Sequence, residues 1–298
     1  MRLKEIYQAN KPVISFEIFP PKGAVEEKKA RIEALFSELK QLTEFNPSFI
    51  SVTYGAGGST RDRTLEIVFK IRDELGIQPL PHYTCVGSDK SEILKYLETL
   101  YKGDIENILA LRGDPPKGEA TFIKPENGFG YANELVDYIK SSFDIGIAVA
   151  GYPEGHPECN SKEQDILNLK KKVDSGADII VTQLFFDNKM FFDFLEKASN
   201  AGINIPIIPG ILPITNYDQI DKMASMCSCT IPESLRKKLE RHGDDAESVR
   251  QAGIEFASQQ CRELIDNEIK GLHFYTLNKA FAVSEILKNI SLTLNKQR

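Results

Sequence analysis

The sharpest chemical signal in the chain is Leu111-Arg-Gly-Asp-Pro-Pro116, where a guanidinium and a carboxylate flank a glycine. Gly113 lets the backbone turn tightly or approach a ligand closely, and the two prolines stiffen the exit. An ordinary ion pair is the plain alternative for Arg112 and Asp114. Ser15-Phe-Glu-Ile-Phe-Pro-Pro21 sets one carboxyl group, that of Glu17, among apolar neighbours. A carboxyl in such surroundings tends to keep its proton, as a general acid must. Pairing with a base on a neighbouring strand is equally consistent. Val52-Thr-Tyr-Gly-Ala-Gly-Gly-Ser-Thr60 runs from an apolar segment into a glycine-rich turn whose backbone could receive phosphate or a flat ring. It is neither Gly-x-Gly-x-x-Gly nor a P-loop, so no dinucleotide-binding Rossmann unit is indicated. Gly151-Tyr-Pro-Glu-Gly-His156 supplies an aromatic ring and an imidazole, and Asp165, Asn168, Lys171 and Lys172 follow at helical spacing. That polar face either turns inward or is simply solvated. Gln183 places an amide in an apolar run, where both its donor and its acceptor need partners. Barrel backbone or a ligand would serve.

These residues share one property: each lies at or just beyond the end of a short apolar run. The runs are Val13–Phe19, Phe49–Gly55, Leu80–Val86, Asn107–Gly113, Gly146–Tyr152, Ile179–Phe186, Ile205–Leu212 and Gly271–Asn278. Continuous apolar character suits strands buried on both faces. Helix-like stretches follow at about 25–43, 60–74, 89–101, 131–142, 162–175, 189–201, 216–226 and 279–290. Eight βα units close a (β/α)8 TIM barrel, whose chemistry sits at the C-terminal ends of its strands. A short helix before the first strand should pack on the barrel floor. Strand starts lie 26 to 39 residues apart, except for a gap of 66 before the eighth. That excess predicts extra helices between strands 7 and 8, including one around 244–268, within one catalytic domain spanning 1–298. Ser161 with Gln164 predicts a capping box, and Thr215 with Asp218 a weaker one. Leu65, Val68, Ile71 and Leu75 predict a core-facing helical stripe. The Pro-, Gly- and Lys-rich stretch 114–130 reads as a mobile loop over the site.

The chain has 298 residues, 41% of them hydrophobic, which is ample for a large core. Its 37 basic and 43 acidic residues give a formal charge of −6, so nucleic acid and anionic membranes are poor partners. Any anionic ligand must meet a local basic cluster. No apolar run reaches the ~18 residues of a membrane span, and the first residues lack a signal-peptide core. Five scattered cysteines do not form a disulfide framework, so a reducing, cytoplasmic setting is expected. Metal binding is disfavoured: the histidines at 82, 156, 242 and 273 form no close pair, and Cys227-Ser-Cys229 has no partner pair. No serine nucleophile elbow is present either. Chemistry without metal or protein nucleophile points to an organic cofactor.

Nine stretches in order resemble the methylenetetrahydrofolate reductase family. They are F-E-I-F-P-P, V-T-Y-G-A-G-G-S, H-Y-T-C, L-R-G-D-P-P, A-G-Y-P-E-G-H-P-E, D-I-L-N-L-K-K-K-V-D-S-G-A, T-Q-L-F-F-D, P-G-I-L-P and H-F-Y-T-L-N, running from about residue 13 to 290. The resemblance implies FAD carried by the barrel, and hydride passed from NADH or NADPH to 5,10-methylenetetrahydrofolate in a ping-pong sequence. It implies a homo-oligomer. It makes Glu17 the general acid and places Asp114 beside both flavin and pterin. Thr53, Tyr54, Ala56, His82, Arg112, Gly113, Asp114, Tyr131, Ala132, Tyr152, His156, Asp165, Asn168, Lys171 and Lys172 would line the FAD groove. Gln183, Gln219, Met223 and Lys279 would meet folate or nicotinamide. Met223 stands where bacterial relatives carry a stacking aromatic, and Lys279 where they carry Arg. A thioether holds a ring less rigidly, and an ammonium is a point charge where a guanidinium is a fork. A ferredoxin-type or partner-subunit donor is the nearest alternative, and a folate-binding barrel for methyl transfer without redox chemistry is another.

Overall fold

The computed structural model describes residues 1–8, 12–21, 23, 27–54, 61–115, 122–243 and 245–296. Eight parallel strands close a barrel in the order β1 to β8. They are β1 (Val13–Ile18), β2 (Phe49–Val52), β3 (Gln78–Thr84), β4 (Asn107–Leu111), β5 (Gly146–Gly151), β6 (Ile179–Leu184), β7 (Ile207–Ile211) and β8 (Gly271–Tyr275). The expected (β/α)8 architecture is present. The apolar runs overshoot most of these strands by one to three residues at the C-terminal end. Among the described residues, those extra ones lie at the mouth, and a few carry the backbone bonding on, as in Val86 N–H to Arg112 O at 3.1 Å.

Alternation along each strand separates two environments, both apolar, which is why the sequence shows continuous runs. Phe16, Ile18, Ile50, Val52, Ile108, Ile147, Val149, Ile180 and Phe274 face outward into one core with the surrounding helices. Val13, Phe49, Leu80, Leu109, Ala148, Ile179, Val181 and Ile208 face inward and pack together. Leu3 and Ile6 of the short helix α1 (Leu3–Ile6), with Tyr7, join the inward cluster and so plug the floor as expected. Moving up the same inward face, the residues become polar: Ser15 and Glu17 on β1, Ser51 on β2, His82 on β3, His273 on β8. The interior is therefore greasy at the floor and hydrogen-bonding at the mouth.

The helical layer comprises α2 (Lys28–Leu42), α3 (Arg61–Lys70), α4 (Lys90–Lys102), α5 (Ala132–Ser142), α6 (Lys162–Asp174), α7 (Asn188–Asn200), α8 (Tyr217–Cys227), α9 (Glu233–Glu240), α10 (Ala246–Asp266) and α11 (Phe281–Lys296). Helix α3 runs on as a π-helical turn over Ile71–Leu75 and ends at Gly76 in the left-handed region, φ 65°. The expected stripe faces the core: Val68 and Ile71 are buried, and Leu65 and Leu75 pack partly buried against the same cluster. Ser161 caps α6 by accepting from Gln164 N–H at 3.0 Å. The reciprocal arm of that box is missing, because the Gln164 amide turns to Asn168 Oδ1. Helix α8 is capped by Asn216 rather than Thr215, its Oδ1 accepting from Gln219 N–H at 3.1 Å.

The two helices inserted before β8, α9 and α10, are where the long gap predicted them. Leu235, Leu239, Val249 and Ala252 from them pack with Ile220 and Ala224 of α8, with Leu184 at the end of β6 and with Leu212 and Ile214 beyond β7. At Gly253 of α10 a β-carbon would stand 2.0 Å from the Ile214 carbonyl oxygen. Backbone cannot yield cheaply there. Gly253→Ala should destabilise the fold by about 1–3 kcal/mol, lowering the thermal midpoint by several degrees, read by differential scanning calorimetry. An unchanged midpoint would contradict this packing. Among the described residues no helix is long and apolar enough to cross a membrane.

Candidate active site

Glu17 ends β1 on its inward face and is 8% exposed. Its main-chain carbonyl accepts from both Thr276 N–H at 3.2 Å and Thr276 Oγ1 at 2.7 Å, which fixes the strand end. Asn278 does the same for the next turn, its side-chain amide bonding both N–H and C=O of Phe19 at 2.8 Å. Glu17 Oε2 lies 3.4 Å from His82 Nε2 and 3.7 Å from His273 Nε2. The histidines that formed no pair in sequence thus converge on one carboxyl from β3 and β8. Burial lowers the His82 pKa more than Glu17 raises it, so its ring is neutral near pH 7.

Asp114 follows β4 at the rim and is exposed. Gly113 before it has φ 88°, and a β-carbon there would stand 2.9 Å from Thr84 Cβ, so glycine is required. The Cys227 thiol, at the end of α8, has its pKa raised to about 11 by burial and then by the charges of Asp114 and Glu17. Tyr275 spans the same space, its hydroxyl donating to Thr182 O at 2.6 Å, and burial raises its pKa well above the ordinary value.

Beside this mouth, over β4 and β5, runs a groove of about 500 Å³. Arg112, Tyr131, Ala132, Tyr152, His156, Asp165, Asn168, Lys171 and Lys172 line it. Nine of the expected cofactor residues meet there. Tyr152 stands edge-on to His156, ring centroids 4.7 Å apart at 73°. Asp165 accepts from His156 N–H at 3.1 Å, and burial raises its pKa. His156 Nδ1 accepts from Glu158 N–H at 3.1 Å, which leaves its proton on Nε2. Lys172 Nζ donates to Ala150 O at 2.5 Å, and loss of water lowers its pKa to about 8, against the opposing pull of Asp165.

Other expected residues fall elsewhere. The Tyr54 ring packs with Tyr83 and Tyr96 at 5.0 and 6.0 Å in the outer core, away from the groove. Thr53 is partly buried at the end of β2, with its N–H on Ile18 O at 3.0 Å, and His82 faces Glu17 inside the barrel. Ala56, the remainder of its glycine-rich turn and positions 116–121 of the long loop lie outside the described residues. Gln183 is partly buried, and its Oε1 accepts from Leu184 N–H at 2.9 Å, the backbone alternative. Gln219 is exposed on α8, and Met223 packs partly buried against the α8–α10 cluster. Lys279 is paired: Nζ reaches Glu38 Oε1 at 3.2 Å, while Glu38 Oε2 takes Ala280 N–H at 2.8 Å. Asn133, Cys159 and Glu158 also line the groove without having been expected, and Glu158 is the charged one. It grips Arg112 with two bonds of 2.6 and 2.5 Å. It lies within the quoted A-G-Y-P-E-G-H-P-E stretch, but its partner is 46 residues away.

The family model described as methylenetetrahydrofolate reductase matches residues 2–291. The chain belongs to that family. It is 40% identical to 5,10-methylenetetrahydrofolate reductase of Escherichia coli (strain K12) over 267 residues, covering 90% of this chain and 86% of that protein. Methylenetetrahydrofolate reductase (NADH) 1 of Arabidopsis thaliana is also 40% identical over 302 residues, which is 98% of this chain and 50% of the plant protein. The chain thus spans about half the length of the plant relatives it matches. Among solved structures, a protein from Clostridium thermocellum that binds two copies of 5-methyl-5,6,7,8-tetrahydrofolic acid superposes with a TM-score of 0.63 at 13% identity. It covers 100% of this chain and 99% of its own, which supports the fold alone.

Proposed function

We propose that the chain is a cytoplasmic methylenetetrahydrofolate reductase that reduces 5,10-methylenetetrahydrofolate to 5-methyltetrahydrofolate with NADH or NADPH and resident FAD. Its order is ping-pong: the spent nicotinamide leaves the mouth before the folate enters the same face. The carrying observation is the basic groove over β4 and β5, beside the barrel mouth where Glu17 meets His82 and His273 and where Asp114 follows β4. The name of the Arabidopsis relative, which specifies NADH, supports that donor.

The groove residues fit such a cofactor. Its volume lies in the range of cofactor sites. Lys172 is a partly buried ammonium that donates to a main-chain carbonyl, so an anionic ligand would relieve its desolvation. Arg112, Lys171 and Lys172 would hold the diphosphate, Asp165 and Asn168 the ribose hydroxyls, and Tyr152 would pack on a flat ring. Bound there, FAD supplies reversible acceptance and donation of a hydride.

Everything else falls to side chains. Glu17 gives its proton to the folate nitrogen that leaves the one-carbon bridge, so the five-membered ring opens to a cationic iminium. Asp114, at the rim, stabilises that positive charge and hydrogen-bonds the pterin. Gln183 exchanges its bond to the Leu184 N–H for one to whichever substrate is present. The outer helices and Tyr275 keep water from the mouth. Steady-state assays at several fixed folate concentrations should give parallel double-reciprocal lines against the nicotinamide. Intersecting lines would overturn the ping-pong order, and no 5-methyltetrahydrofolate with either nicotinamide would overturn the activity.

Lys172 gives a pH dependence of definite sign. Below about 8 its side chain is charged and attracts diphosphate; above, it loses the proton and the attraction. Bound phosphate holds the proton on, so FAD affinity should fall as pH rises from about 8. Lys172→Met should flatten that slope, measured by quenching of flavin fluorescence. An FAD affinity that rises with pH there would contradict the assignment.

A further inference from the structure

His273 has no exposure to water, although it lies directly below the mouth. Burying an imidazole among apolar rings is costly unless its two nitrogens are used. The ring packs on Phe49 with centroids 5.9 Å apart and planes at 24°, and meets Tyr275 edge-on at 5.6 Å. It cannot turn freely between them. Nδ1 is 2.8 Å from Ser15 Oγ, whereas the other acceptor near that hydroxyl, Leu272 O, is 3.4 Å away. The Nδ1 contact forms whether Ser15 Oγ donates or accepts. The oxygens that face Nε2 place the ring proton there, with Nδ1 accepting from Ser15 Oγ. Nε2 faces Ser51 Oγ at 3.5 Å and Glu17 Oε2 at 3.7 Å. His82 Nε2 faces the same carboxyl oxygen at 3.4 Å, without aligned hydrogen-bond geometry. Both imidazoles therefore address Oε2. The three side chains do not form a metal cage: no such group is found among the described residues.

We propose that Ser15 and His273 are a positioning pair for Glu17, in which Ser15 fixes the Nε2–H form of His273 and that N–H anchors Oε2. The exchangeable proton of Glu17 is then carried on Oε1. The proposal rests on Glu17 being the acid described above. The proton balance is simple. Glu17 Oε1–H breaks, a folate N–H forms, and the carboxylate left behind draws in a bond from the Nε2–H of neutral His273. No proton leaves the ring. Catalytic hydrogen bonds are often long before substrate arrives, so 3.7 Å is a resting distance that shortens on ionisation of the carboxyl. The titratable groups facing this centre are Glu17 on β1, His82 on β3, Tyr275 on β8 and Cys227 on α8.

The test uses flavin-loaded enzyme with the two half-reactions followed separately. His273→Asn should slow reoxidation by methylenetetrahydrofolate about 10- to 100-fold, the value of one hydrogen bond to a charged group. Reduction by nicotinamide and FAD affinity should stay within about twofold. The pH profile of the folate step should also be displaced, which mere loosening of the core would not do. His273→Gln, which can place an amide N–H near the Nε2 position, should recover most of the rate, and Ser15→Ala should fall between. Equal loss in both half-reactions, or a His273→Asn folate rate within twofold of the parent, overturns the proposal. Nitrogen NMR of labelled, unsubstituted protein gives an answer that needs no variant to fold: the Nε2–H form is expected, and the Nδ1–H form overturns it. Glu17→Gln is the control. If that change leaves the folate step intact, the assignment of Glu17 fails, whatever the tautomer of His273.

Discussion

Glu17→Gln should leave reduction of the bound flavin by nicotinamide within about threefold of the parent rate, while its reoxidation by methylenetetrahydrofolate slows by roughly 10²- to 10⁴-fold. That span is what a positioned general acid typically contributes. The asymmetry follows from where protons are needed. Hydride transfer from nicotinamide asks no proton of Glu17, whereas opening the folate ring requires one at the departing nitrogen. Glutamine keeps the size of the side chain and its contacts with His82 and His273, so loss cannot be assigned to a collapsed mouth. It supplies an amide, which is no acid. A matched fall in both half-reactions would show that Glu17 shapes the site rather than donating a proton.

The second large effect concerns cofactor affinity. Arg112→Gln should weaken FAD by about 10- to 100-fold, since a guanidinium–phosphate contact is a charge-assisted, two-point bond. Riboflavin, which lacks phosphate, should bind within about twofold of the parent. Glu158→Gln should act in the opposite sense. The Glu158 carboxylate holds both terminal nitrogens of Arg112, and this bond lowers the pKa of Glu158 and raises that of Arg112. It fills the fork that a phosphate needs. Glu158 is half exposed, so the pair is partly screened and its release is worth only a small factor. FAD should tighten about two- to fivefold in Glu158→Gln, with riboflavin unmoved. Weaker FAD binding in this variant would mean that Glu158 braces Arg112 for the phosphate instead of competing with it.

The barrel was legible because its two apolar environments leave unbroken runs, one for each strand, and because glycine and polar residues end them. Strand ends were not, since the mouth continues the same composition past the last ladder bond. The π turn at Ile71–Leu75 escaped because a period of 3.6 describes the helix up to the residue where it widens. The cap of α8 shifted from Thr215 to Asn216 because neighbouring side chains can both cap, and only the backbone angles decide. Much of the groove was readable from the polar face of α6, whose spacing puts Asp165, Asn168, Lys171 and Lys172 together. What could not be read is pairing across the chain. Glu158 with Arg112, Lys279 with Glu38, and His82 with His273 around Glu17 join residues that only the closed sheet brings near. Lys279 illustrates the consequence. To hold an anionic tail of a folate, its ammonium must first leave a carboxylate that also caps the start of α11.

The most direct measurement is anaerobic stopped-flow absorbance of the purified, FAD-loaded protein, mixed first with NADH or NADPH and then with methylenetetrahydrofolate. The yellow absorbance should bleach with at least one nicotinamide and return with the folate, one 5-methyltetrahydrofolate forming per flavin. A protein that binds no flavin, or whose flavin bleaches with nicotinamide but stays bleached with the folate, would contradict the account.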